Sequence, residues 1–479
     1  MLFPDPCDAV NCKPSTVNLL MKQPPTILLI NPWIYDFAAY DLWARPLGLL
    51  YIASVLRENG FGVELLDCLA DGQAGKNDTG RTEYGDGHFR KLPVEKPDVL
   101  ASIPRKYSRY GMSPDCFAAT LEKLPRPDVV VVTSMMTYWY PGVFHAIRLV
   151  KDHFPGVPVI LGGVYATLCH EHAVRYSGAD LCIRGEGETP VLKAVSGITN
   201  SDISSIPDPN RPDSLPYPAF DLLKAQDVLC LITARGCPYN CTYCASSLLN
   251  DAFRPRDPSK ISDEISYWVD RYQVRNIVFY DDALLYKAED RFIPLLLTVL
   301  NKHGSLNFHT PNGIHAREIT AGVAELMYQT GFKTIRLGLE TSDDILQEKT
   351  GGKITSREFE QAVMHLRKAG YEGKDIGVYL LAGLPGQDID EVRKSIRFVR
   401  DCGARPYLAE YSPIPGTALW DDARRHSRFN LDEPLCHNNS ILPCRVGGLS
   451  WEDLYQLKSE LKDDKEERGQ GSGDRKEQL

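Results

Sequence analysis

At 479 residues the chain is long enough for two or three domains, since single hydrophobic cores stop growing well short of that length. Its formal charge of −9 argues against a nucleic-acid partner, which calls for net or clustered basic charge, and no apolar run is long enough to cross a bilayer. Thirteen cysteines, behind a first segment (MLFPDPCDAVNCKP) without the charged-then-apolar order of a secretion signal, predict a cytoplasmic protein. Its thiols are then metal ligands or reduced core residues.

Residues 1–23 read as an irregular extension, in which Cys7 and Cys12 have no further ligand nearby. From there strand and helix alternate. TILLI at 26–30 is a buried apolar run, 47–59 has helical spacing with Gly60 as its stop, and VELLD at 63–67 follows. A polar, Gly-rich insertion at 71–112 is too long for a simple connection, and is either functional or an ordered excursion. Alternation resumes with DVVVVTS at 128–134, a helix at 141–153, VPVILGG at 157–163, another helix and DLCIRGEGE at 180–188. Such near-continuous apolar runs mark parallel strands buried on both faces, so 24–200 reads as a doubly wound, Rossmann-like α/β domain.

The proline-rich stretch at 201–225 is the linker. A second series fills 226–425, with strands at 229–233, 276–280, 307–310, 334–339, 377–382 and 406–411. The first five are each followed by a helix, for example at 356–369 and 388–402. In the C-terminal segment, 426–479, a short helix beyond Trp451 precedes DDKEERGQGSGDRKEQL, which has the composition of a disordered tail.

The first strand of the second series runs into LITARGCPYNCTYCASS, where Cys237, Cys241 and Cys244 form C-x3-C-x2-C. Three thiolates within eight residues can converge on one soft metal centre, leaving one coordination position without a ligand from the cluster. A zinc knuckle with a fourth ligand elsewhere, or three unrelated core thiols, are the alternatives. The cluster, with Tyr243 ahead of its last cysteine, resembles the radical S-adenosylmethionine (SAM) superfamily. That resemblance implies a partial (β/α)6 barrel, where periodicity alone says only parallel α/β. It also implies that the three cysteines hold a [4Fe–4S] cluster whose fourth iron binds SAM.

Ligands of parallel α/β folds bind at the carboxyl ends of the strands. On the resemblance, Asp281 and Asp282 in FYDDALL are candidates for the SAM amino group, each with a helix N-cap as its alternative. HTPNGIHA puts Asn312 and His315 near the mouth. In IRLGLETSDD, Glu340 is expected at the ribose hydroxyls, with Arg336 pointing inward to pair a carboxylate. In LAGLPGQ, Gly383, Pro385 and Gly386 would let the backbone approach the adenine.

The first domain resembles the cobalamin-binding domain that precedes the radical SAM core in one large subclass. The matching pieces are PLGLLYIASVLRENGFGVELLD, SMMT at 134–137, Gly162-Gly163 with YATL, and RGEGE at 184–188. They make Ser134, Thr137, Gly162, Gly163, Gly185 and Gly187 the candidate cobalamin contacts. The loop NPWIYDFAAYDLWARPLG lacks the D-x-H-x-x-G that carries a lower axial histidine. Either cobalamin binds without a protein imidazole, or the domain has lost it and only shapes the substrate pocket. The run Thr137-Tyr138-Trp139-Tyr140 sits over the strand ends in both cases, as a lid or as interface packing.

CHNNSILPC, with Cys436, His437 and Cys444, is either a second metal site or a pocket-lining loop with buried thiols. The resemblance implies reductive cleavage of SAM to a 5′-deoxyadenosyl radical, used for cobalamin-dependent C-methylation. A rearrangement, cyclisation or elimination beside a degenerate first domain is the alternative. A non-catalytic electron carrier or scaffold fits less well, because it needs a fourth cysteine and no adenosine pocket. A one-electron reductant such as flavodoxin or ferredoxin is implied, and no pattern specifies the small-molecule or peptide substrate.

Overall fold

The computed structural model describes residues 23–70, 81–304 and 306–467, the last six of these as backbone. Cys7, Cys12, the first part of the insertion and the tail from 468 lie outside the described residues. Five parallel strands, β1 Thr26–Asn31, β2 Gly62–Asp67, β3 Val129–Val132, β4 Val159–Leu161 and β5 Leu181–Cys182, form a sheet in the order β5-β4-β3-β1-β2. Alternate side chains leave opposite faces. Leu28, Ile30, Val130, Val132 and Leu161 pack with the helix Tyr140–His153, while Ile27, Leu29, Val129, Val131 and Ile160 pack with Leu47–Glu58 and Glu188–Thr199. Burial on both faces is why the strands read as unbroken apolar runs. Strand order reverses between β1 and β3, which puts the ligand crevice at their carboxyl ends.

The second sheet holds β6 Val228–Leu231, β7 Asn276–Phe279, β8 Asn307–His309, β9 Phe332–Glu340, β10 Ile376–Ala382 and β11 Arg405–Glu410 in sequence order, all parallel. Local chemistry fixes the connecting helices. A reciprocal capping box of Asp388 and Glu391 starts Ile389–Asp401, and one of Thr355 and Glu358 starts Ser356–Ala369. Three details differ from the sequence reading, and one is the helix beyond Trp451, which is not short but spans 17 residues, Trp451–Glu467, and enters the stretch expected to be a disordered tail. Strand β6 stops at Leu231 rather than 233, because the amides of Thr233 and Ala234 donate to the Asp281 carboxylate. The helix expected after β4 is two helices, Val164–Leu168 and His170–Tyr176, meeting at Cys169.

Six strands fall short of the eight that close a filled barrel. The described part of the insertion is an ordered excursion that helps to fill the difference. Ser108–Tyr110 pairs antiparallel with Ile34–Asp36 and with Lys91–Pro93, and Gly87–His88 pairs with Tyr40–Asp41. This brings Trp43 and Tyr84 against the fully buried His309 of β8, with ring centroids at 4.6 and 5.0 Å. The Trp43 indole donates to the Tyr84 carbonyl at 2.7 Å, and the Tyr280 hydroxyl donates to the Trp43 carbonyl. The first domain thereby supplies part of the core of the second.

Candidate active site

The cysteine loop is clamped at both ends. Before it, Ala234–Arg235 pairs antiparallel with Arg254–Pro255, and Asp281 accepts from the Thr233 amide at 2.9 Å, the Thr233 hydroxyl at 2.6 Å and the Ala234 amide at 2.8 Å. Within it, the Thr242 amide donates to the Thr350 carbonyl at 3.2 Å. Cys237 and Cys241 are half-buried and Cys244 is exposed. Burial pushes all three thiols up, Cys237 to about 11. The three thiols neighbour one another on a fixed loop, partly open at the strand ends and without a fourth cysteine among the described residues of that loop; they are not gathered tightly enough to hold a single metal ion, and as a donor set they suit a larger cluster with one free iron.

The adjacent acids divide. Asp281 is buried with its oxygens spent on Thr233 and Ala234, just after β6, and burial raises it to about 6. It is therefore a structural clip and not the ammonium acceptor expected from sequence. Asp282 is exposed and accepts from the Ser246 hydroxyl at 2.5 Å, just beyond Cys244. At the end of β9, Glu340 is ion-paired with Lys353 and lies beside the Tyr243 phenol. Lys353 carried no signal in the sequence reading. His315 packs against Tyr239 of the cysteine loop with tilted rings, centroids at 4.3 Å, and its Nδ1 has no hydrogen-bond partner among the described residues. Burial, with the charges of Lys353 and Arg317, holds that imidazole down at about 3, so it is neutral. The Asn312 amide donates to the Tyr280 carbonyl at 3.1 Å.

Two expected SAM contacts have other neighbours among the described residues. Arg336 pairs no carboxylate among the described residues: its guanidinium lies 4.9 Å over the Tyr407 ring and donates to the Ile335 carbonyl. It sits four residues before Glu340, about 13 Å lower along the strand. Gly383 is not an open cradle, because a Cβ there would meet the Leu442 side chain at 2.6 Å. Pro385 is half-buried and Gly386 exposed on the same loop.

In the first domain, Ser134 Oγ donates to the Gly162 carbonyl at 2.7 Å and accepts from the Ala166 amide at 3.2 Å, which sets the turn after β4. Gly163 has φ +95°, and a Cβ would collide with the Ser134 carbonyl, so only glycine fits. Gly162 and Gly185 differ: a Cβ on either would meet open space. Gly187 packs on Ile52 and precedes the helix Glu188–Thr199. Gly162 and Gly185, with open space beside them at the strand ends, leave room for the tail of a large planar cofactor. Thr137 is not free, because its hydroxyl is 3.0 Å from His437 Nδ1.

That bond belongs to the domain seam. His437 Nε2 donates to the Leu431 carbonyl at 2.8 Å, so both ring nitrogens are committed and none remains for a metal. The Asn438 amide donates to Asp36 at 2.8 Å, the Trp139 indole to the other oxygen of Asp36 at 2.6 Å, and the Tyr140 hydroxyl to Glu433 at 2.8 Å. CHNNSILPC is thus a buried wedge over the strand ends of the first domain, and Tyr138, Trp139 and Tyr140 pack beneath it. A second seam runs through RGEGE, where Arg235 pairs with Glu186 and Glu188, and Arg254 with Glu186. Beside it a cavity of about 450 Å³ lies between Gly185–Pro190, the linker and Ser247–Asp251. The helix Val164–Leu168, after Gly163, contacts Ser246–Leu249, after Cys244. The strand-end faces of the two domains therefore meet.

The family model of the radical SAM superfamily matches residues 231–399, and that of the B12 binding domain matches residues 106–195. An uncharacterized methyltransferase of Pyrococcus horikoshii is 26% identical over 437 residues, covering 85% of this chain and 83% of the relative. The cytidylyl-2-hydroxyethylphosphonate methyltransferase of Streptomyces wedmorensis is 24% identical over 473 residues, with the same coverage of 85% and 83%. The fold is that of the radical SAM methyltransferase TsrM from Kitasatospora setae, solved with cobalamin and a [4Fe–4S] cluster bound. That match has TM-score 0.61 and 16% identity, and covers 85% of this chain and 79% of that one. No helix among the described residues is long and apolar enough to cross a membrane. The chain carries a radical SAM domain with a B12-binding domain ahead of it, and is a radical SAM enzyme with a [4Fe–4S] cluster, SAM and cobalamin as cofactors.

Proposed function

We propose that the protein is a cobalamin-dependent radical SAM methyltransferase that adds a methyl group to a carbon of its substrate. The observation that carries this reading is the apposition of the two strand-end faces, with the turn after β4 in contact with the segment after Cys244. Named methyltransferases aligned over most of the chain support it. When bound, the cofactors supply one-electron chemistry and a transferable methyl group. The protein's own part is to hold, orient and exclude water. Cys237, Cys241 and Cys244 would hold the cluster, Asp282 the SAM amino group, Glu340 the ribose, and the loop with Pro385 and Gly386 the adenine. Gly162 and Gly185 would admit the cobalamin tail, and the absence of histidine from 31–48 leaves its lower face without an imidazole from that loop. Residues 24–200 and 226–425 would be the two working domains, joined by 201–225, with flavodoxin or ferredoxin as electron source.

The test is anaerobic. The full chain, reconstituted with iron, sulfide and cobalamin and given reductant and SAM, should release S-adenosylhomocysteine in a cobalamin-dependent manner. A protein that cleaves SAM but takes up no cobalamin would instead be a radical SAM enzyme of the rearranging or eliminating kind. Glu340→Ala should weaken SAM binding by tenfold or more with the cluster intact, and coincident isotherms would move the ribose role elsewhere.

A further inference from the structure

Lys353 stands on the turn after Gly351 and Gly352, where no motif marks it. Its ammonium is ion-paired with Glu340 and lies 5.8 Å over the Tyr243 ring, with 13% of the side chain exposed. Tyr243 sits between Cys241 and Cys244 in sequence, and both of those thiols feel the ammonium's charge. The same turn abuts the cysteine loop, since a Cβ on Gly351 would come within 2.9 Å of Cys241 Cα. Inside β9, a Cβ on Gly338 would come within 2.8 Å of Lys353 Nζ and 2.9 Å of Glu340 Oε1, so glycine leaves the room in which the pair meets. Glu340 itself has φ +69°, a left-handed conformation that a non-glycine residue holds only where its surroundings impose it. Other basic groups nearby are accounted for: Arg317 is paired with Glu358 at 3.1 Å, and His315 is neutral.

We propose that Lys353 is a positioning residue that sets the reduction potential of the cluster, its charge favouring the state that carries one more electron. The inference rests on the reading that Cys237, Cys241 and Cys244 hold that cluster. The step is a one-electron reduction in which no bond forms or breaks, and the electron comes from a one-electron carrier or, in the test, from a chemical titrant. A fixed cation in a partly buried site acts more strongly than one in water, and the Glu340 carboxylate opposes it from the other side.

The reconstituted full chain, without SAM, is titrated with dithionite and low-potential mediators while the reduced cluster is followed by electron paramagnetic resonance. Lys353→Met should lower the reduced-to-oxidised ratio at least tenfold at fixed potential, a shift of about 59 mV for one electron. Lys353→Arg should restore it, and Glu340→Gln should move it the opposite way. Unchanged potentials, or shifts of the same sign for Lys353→Met and Glu340→Gln, would overturn the proposal. If Lys353→Met assembles no cluster, the sign for Glu340→Gln decides alone. Failure of the underlying reading looks different, because a wild type whose cysteines hold no cluster gives no signal to titrate.

Discussion

Arg235, two residues before the first cluster cysteine, is ion-paired with Glu188, the first residue of the last helix in the cobalamin-binding-like domain. Its other guanidinium nitrogen reaches Glu186 at 2.9 Å, and 11% of its side chain is exposed. One residue thus ties the strand end that presents the three cysteines to the strand end expected to face cobalamin. Arg235→Ala should lower the melting temperature and cost on the order of 3 kcal/mol, because it leaves the Glu188 carboxylate without its cation and Glu186 with Arg254 alone. Arg235→Lys should recover only part, since an ammonium cannot fork between them. A wild-type melt for Arg235→Ala would show that the wedge at His437 and Asn438 holds the seam unaided.

The two cysteine groups should separate cleanly. Replacing Cys237, Cys241 and Cys244 together by Ala should abolish iron–sulfur absorption, while replacing Cys436 and Cys444, both fully buried, should leave one [4Fe–4S] cluster able to cleave SAM. A full cluster in the triple variant would remove the assignment.

The glycines after β4 should fail for different reasons. Gly163→Ala forces a Cβ into the Ser134 carbonyl at positive φ and should cost roughly 2 kcal/mol or more, read as a lower melting temperature with or without cofactor. Gly162→Val points into open space and should melt like wild type while taking up less cobalamin. Normal uptake by that variant would place the cofactor tail elsewhere.

His437 gives a pH dependence. Burial lowers it from the ordinary 6.5 to about 4, so between those values the unfolded chain binds a proton that the folded chain refuses. Its contribution is complete above pH 6.5 and is lost as pH falls toward 4, by on the order of 3 kcal/mol in total. The stability difference between wild type and His437→Gln, measured by denaturant unfolding, should therefore shrink across that window. His309 and His315 shift the same way, so the variant should flatten the profile rather than level it. A difference independent of pH would mean that the imidazole titrates normally.

Strands β1, β3 and β4, the helix starting at Asp388 and the cysteine loop were legible because each depends on neighbours in sequence: apolar runs, a capping box, three thiols within eight residues. The roles of Asp281 and Asp282 were not. Adjacent residues point in opposite directions, and only the place where β6 stops decides which carboxylate is spent on backbone. Lys353 was invisible for a related reason, since its meaning comes from a strand glycine and a glutamate thirteen residues away.

The sequence by itself determined two α/β domains and a three-thiol centre at a strand end, because periodicity and ligand spacing are properties of a short stretch of chain. Only the tertiary structure decided that RGEGE also clamps the cysteine loop, that CHNNSILPC is a wedge and not a metal site, and that Gly383 is filled by Leu442. Those outcomes depend on which residues distant in sequence meet across the seam, where burial turns a charge or an imidazole from a solvated group into a committed one.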